Sequence, residues 1–136
     1  MPVIKWDNSF SIKIPDLDEQ HKSWIHIINE LHDALMSAVD LEKVSRDTID
    51  AMIEYARNHF AFEEAFMTDI GFPEYAKHKK IHQEFQIKLE LLENDITAGT
   101  VVLNRTIMKE LTIWLTQHIL KEDKKIAAYA TANGTT

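Results

Sequence analysis

Four stretches of this chain, each roughly 20 to 26 residues long, place apolar side chains at alternating three- and four-residue steps. The first carries Leu17, Trp24, Ile28, Leu31 and Leu35, and the second Ile49, Met52, Ala56, Phe66 and Ile70. The third carries Tyr75, Phe85, Leu89, Leu92 and Ile96, and the fourth Ile107, Leu111 and Trp114. That period lays one apolar face along a helix and fits no strand, where alternate residues would share a face. Asp16 and Glu19 have capping-box spacing, so the first helix is expected to start near Leu17. A polar stretch from Ser37 to Ser45 ends its pattern. The second helix is expected over 45–70, with Gly71 as its stop and Pro73 beyond. The third is expected over 73–98 before Gly99, and the fourth from Asn104 to about Tyr129. Residues 1–15 read as an irregular N-terminal arm, with Trp6 packing it onto the body, and 130–136 as a frayed tail. Short links make neighbouring helices antiparallel. The expectation is all-α: one domain over 1–136, an up-down-up-down four-helix bundle.

Composition narrows the function classes. A formal charge of −7 without a basic stripe argues against nucleic acid as a partner. No cysteine is present, which excludes thiolate metal sites, disulfides and Cys nucleophiles. Any metal must be held by imidazole and carboxylate. The N-terminus shows no basic segment followed by an apolar one, and no apolar run reaches membrane-spanning length. A cytoplasmic monomer is the expectation.

The polar exceptions to the apolar pattern are the informative residues. His21, His59, Glu63, His78, His82 and His118 all occupy positions that the spacing assigns to the bundle interior. Leaving such groups unsatisfied costs roughly 1–3 kcal/mol each, against a net stability of about 5–15 kcal/mol for a whole domain. A metal centre satisfies them together. In an up-down-up-down bundle the starts of helices one and three lie beside the ends of helices two and four, so all six converge at one end. His59/Glu63 and His78/His82 are four apart and share a helix face. The fourth helix leaves a choice of acid. Four residues past His118 is Glu122, in ordinary α-helical register, whereas Asp123 and Ile126 form an inward stripe shifted by one residue, as a π-bulge would produce. Spacing alone leaves both open. His26 points about 140° from His21, and His32 lies about 16 Å along the axis, so both are expected outside the site. Glu64 faces elsewhere than Glu63 and is expected either at the surface or behind a ligand. Met67, Phe62, Phe66 and Phe85 are expected in the core.

Several motifs carry a family resemblance: Asp-Glu-Gln-His at 18–21; Ile28-Asn29 with Leu31; His59-Phe60-x-x-Glu63-Glu64 with Met67; His78-x-x-x-His82; and Trp114-Leu115-x-x-His118-Ile119-x-x-x-Asp123. Together, and in this order, they resemble the hemerythrin family, most of all its single-domain bacterial branch, the bacteriohemerythrins. The resemblance implies that Asp123 is the second bridging acid. It implies two iron ions, one held by His78, His82 and His118, the other by His21 and His59, with Glu63, Asp123 and a hydroxo or oxo group bridging. The first ion would then be six-coordinate and the second five-coordinate. Dioxygen is expected end-on at the open position, as a hydroperoxide, in a pocket lined by Phe60, Trp114, Leu115 and Ile119. Trp24, one turn after His21, is bulkier than the pattern leads one to expect.

Reversible oxygen binding for storage, transport or delivery, without catalysis, is the reading this favours. The alternatives are a di-iron oxidase, a peroxidase or nitric-oxide-handling enzyme, or an oxygen or iron sensor on the same bundle. Carboxylate-rich oxygen-activating bundles use Glu-x-x-His, which this chain lacks.

Overall fold

The computed structural model describes residues 4–37 and 40–132. Among them every regular element is helical. Helix α1 spans Pro15–Met36, α2 Leu41–Asp69, α3 Tyr75–Thr97 and α4 Arg105–Gln117. A π-helical turn, His118–Asp123, then runs directly into α5, Lys124–Ala132. The segments α4, π turn and α5 form the fourth arm of an antiparallel four-helix bundle. No helix among the described residues is long and apolar enough to cross a membrane.

Helix ends follow local chemistry. Asp40 caps α2 by accepting from the Lys43 N–H at 3.1 Å, so that helix begins four residues earlier than Ser45, inside the polar stretch. Asn104 caps α4 by accepting from Ile107 N–H at 2.9 Å, at the expected place. Gly71 (φ 66°) and Gly99 (φ 79°) adopt the left-handed conformation that ends α2 and α3. The Asp16/Glu19 box does not form: α1 begins at Pro15 without a side-chain cap. Asp18 instead turns back to the arm, accepting from Ser11 Oγ at 2.6 Å and Ile12 N–H at 2.8 Å. Its neighbour Asp16 is left exposed.

From residue 4 onward the arm is more ordered than its sequence suggests; residues 1–3 lie outside the described residues. Asn8–Phe10 form a 3₁₀ turn, and Ile4, Phe10, Ile12 and Ile14 are buried. The Asn29 side chain clasps the backbone of Ile4 with bonds of 3.0 and 2.7 Å. Trp6 packs against the core, as expected, with the Lys22 ammonium 5.2 Å from its ring centre. At the other end, residues 130–132, expected in a frayed tail, are the last turn of α5, with Ala130 fully buried; positions 133–136 lie outside the described residues.

The apolar stripes form the core, with one rotation. In α2 it is Phe60 and Met67 that are fully buried, while Phe66 and Ile70 are only half-buried. Met67 lies four residues after Glu63, one helical turn along the same face. Phe85 is in the core, whereas Phe62 is exposed, contrary to expectation.

Candidate metal centre

His21 comes from α1, His59 and Glu63 from α2, His78 and His82 from α3, and His118 and Asp123 from the two ends of the π turn. All seven are buried, and Glu63 and Asp123 are fully so. The π turn brings in Asp123. On an α-helix, five residues rotate a side chain by about 140°, out of the cluster. The wider turn closes i→i+5 and returns Asp123 to the face of His118. Glu122 points outward and pairs with Lys125 at 3.5 Å. Of the two acids that spacing leaves open, Asp123 is the one that enters the cluster.

The two carboxylates divide their oxygens. Glu63 Oε1 faces His78, His82 and His118, with Nε2 atoms at 2.8, 3.0 and 3.7 Å. Asp123 Oδ1 faces two of the same nitrogens, 3.2 Å from His78 and 3.1 Å from His118. The other oxygens turn to the second group: Glu63 Oε2 is 3.7 Å from His59 Nε2 and 3.9 Å from His21 Nε2, and Asp123 Oδ2 is 3.0 Å from His21 Nε2. Two ligand sets result, one with three imidazoles and one with two, sharing both carboxylates. Atoms bound at about 2.1 Å to one ion stand about 3.0 Å apart when at right angles. The shorter separations match that value.

Unpartnered polar atoms test whether a cation fits. Glu63 Oε2, both Asp123 oxygens, His59 Nε2 and both nitrogens of His21 are buried without a hydrogen bond. Asp123 Oδ2 is near enough to His21 but out of line with it. His82 Nε2 and His118 Nε2 point at each other across 3.1 Å. Neutral imidazoles whose lone pairs converge in this way are satisfied by a shared cation. Tautomers agree: His82 Nδ1–H donates to Glu64 Oε2 at 2.9 Å and His59 Nδ1–H to Gln20 Oε1 at 2.7 Å, leaving each Nε2 lone pair for the centre.

Electrostatics in the metal-free protein describe the same site. Burial works against charge on His78 and His118, yet the Asp123 and Glu63 carboxylates outweigh it and raise the two imidazoles to about 9 and about 10. Burial dominates at His59 and lowers it to about 4. Although burial opposes ionisation of Glu63 and Asp123, the surrounding imidazoles hold both well below the usual carboxylate range. Positive charge is required here. Protons supply it when metal does not.

Aromatic rings wall the cluster. Phe60 stacks on His82, with ring centres 3.9 Å apart, and Trp114 stacks on His118 at 4.6 Å and on Phe85 at 3.7 Å. Leu115 and Ile119, on either side of His118 in the sequence, are buried. His26 is exposed and pairs with Glu30 at 3.0 Å, and His32 lies outside the cluster near Asp33, both as expected. Glu64, expected either at the surface or behind a ligand, stands behind His82. Gln20 and Tyr55 were missed there: Gln20 orients His59, and the Tyr55 hydroxyl donates to the Gln20 carbonyl. Gln20 precedes His21 within the Asp-Glu-Gln-His motif, the one signal that could have drawn attention to it.

A helical bundle with an imidazole–carboxylate cation cluster buried at one end is the class that fold and site define. The family profile described as "Hemerythrin HHE cation binding domain" matches residues 13–130. The chain therefore belongs to the hemerythrin family. It is 30% identical over 128 residues to the bacteriohemerythrin of Stenotrophomonas maltophilia, covering 93% of this chain and 81% of that one. With the bacteriohemerythrin of Pseudomonas aeruginosa it shares 32% identity over 123 residues, 90% of this chain and 78% of the relative. A crystal structure of wild-type hemerythrin superposes with a TM-score of 0.86 at 28% identity, covering 93% of this chain and 96% of the other.

Proposed function

We propose that this chain binds dioxygen reversibly at two non-haem iron ions, as an oxygen-binding protein and not as a catalyst. One observation carries the reading: each carboxylate gives one oxygen to the three-histidine set and the other to the two-histidine set. His78, His82 and His118 would hold one iron, His21 and His59 the other, and Glu63 and Asp123 would span both. Imidazole and carboxylate are ligand types suited to iron. The three-histidine set would leave its ion no free position once a hydroxo or oxo bridge completes it, whereas the two-histidine set would leave one. When bound, the iron pair supplies one electron from each ion to dioxygen and recovers both on release.

The chain's own residues keep that exchange reversible. Phe60 and Trp114 set ring faces against His82 and His118, and with the buried Leu115 and Ile119 they would form the apolar lining that excludes water. Glu64 and Gln20 fix the tautomers of His82 and His59. Glu122, the nearest acid in sequence to Asp123, is turned to Lys125, so it supplies no stray proton to the interior. The five-imidazole set is nitrogen-rich, which favours binding over oxygen activation.

Optical spectra of the reduced, iron-loaded protein test this. A visible band is expected to appear on adding oxygen and to vanish on degassing, over repeated cycles. Sustained oxygen consumption with a reductant present would identify a catalyst instead.

A further inference from the structure

Trp24 is wholly buried on α1, and its indole Nε1–H has no hydrogen-bond partner. An unsatisfied N–H in a packed interior is costly, and indole nitrogens in cores ordinarily find an acceptor. The surroundings offer aromatic rings: His59 at 5.3 Å, Tyr55 at 5.5 Å and Phe60 at 5.6 Å between ring centres. Ring faces are weak acceptors. The location is specific. Trp24 follows His21 by three residues, on the same helix face, and its ring meets His59 nearly edge-on. Phe60 touches both Trp24 and His82, and no described ring contact joins Trp24 to His78, His82 or His118. The indole ring thus packs on the two-histidine side, against His59, where His59 Nε2 and both His21 nitrogens are likewise without partners.

We infer that the Trp24 indole N–H donates a hydrogen bond to the small ligand, dioxygen or an anion of similar size, held on the His21–His59 side. This rests on the dioxygen reading and adds a residue that sets how tightly the ligand is kept. Phe60, Leu115 and Ile119 carry no polar donor, so an indole N–H among them would discriminate ligands that carry a terminal acceptor atom from those that do not.

The test replaces Trp24 with its benzothiophene isostere, which keeps the bicyclic shape and removes only the N–H, alongside Trp24→Phe. Azide is the probe, titrated into the oxidised, iron-loaded protein, and the metal-free forms are unfolded with denaturant. The isostere is expected to weaken azide about three- to tenfold, the size of one hydrogen bond, and to leave metal-free stability unchanged or higher. Equal azide affinity would overturn the inference alone. So would a loss of metal-free stability in the isostere, because the N–H would then have an acceptor within the protein. Failure of the iron-loaded parent to take up either azide or dioxygen would strike the dioxygen reading first, and this inference with it.

Discussion

His78 and His118 face two carboxylates each, whereas His59 meets Glu63 at 3.7 Å and has Trp24, Tyr55 and Phe60 around its ring. That contrast raises the first two imidazoles to about 9 and about 10 and lowers the third to about 4. A sign follows for the metal-free protein. Groups raised on folding contribute stability that is complete below their unfolded pKa of about 6.5 and is lost as pH climbs through the folded values. His59, lowered on folding, has the opposite effect at the acid end, where the unfolded chain takes up a proton that the native site refuses. Denaturant unfolding with chelator present is therefore expected to show stability falling between pH 7 and pH 10.5. The iron-loaded protein should lose much less, because metal replaces the protons. A metal-free protein equally stable at both values would contradict the arrangement of charges described for the site.

At the scale of elements, the π turn decides which acid enters the cluster. Asp123→Asn is expected to lower iron content below two per chain, since one bridging carboxylate is lost, while Glu122→Gln should leave it unchanged; native mass spectrometry reads both. Equal loss from the two variants would place the turn wrongly. Spacing carried the inward stripe of Asp123 and Ile126 but no reason to prefer it, because spacing tests one regular helix against another; the preference for Asp123 came from the family resemblance alone. A one-residue bulge is set by what the two ends contact, here His118 and Asp123, which meet each other at 3.1 Å, while Asp123 also reaches His78 at 3.2 Å. The capping error has a similar origin. Asp16 and Asp18 are both acids at a helix start, and only the path of the arm, with Ser11 and Ile12 folded back, selects Asp18. Phe66 and Met67 differ by one step, and the broad apolar face of α2 admits either until its neighbours are in place.

For the whole molecule, the features that were legible are those repeated along the chain. Four apolar stripes, two glycine stops and five inward histidines specify the bundle and the end at which its polar residues meet. What was not legible depends on contacts between distant segments: the Asn29 clasp on Ile4, the Ser45 hydroxyl accepting from Leu103 N–H at 3.0 Å, and the Gln20–His59 bond. Metal loading joins the same distant segments, because its ligands come from all four arms of the bundle. The most direct test of a two-ion centre is an anaerobic titration of the metal-free protein with ferrous iron, followed by Mössbauer spectroscopy after oxidation. The account predicts an end point at two irons per chain and a pair of antiferromagnetically coupled ferric ions with no net spin. An end point at one iron, or two magnetically independent irons, would contradict it.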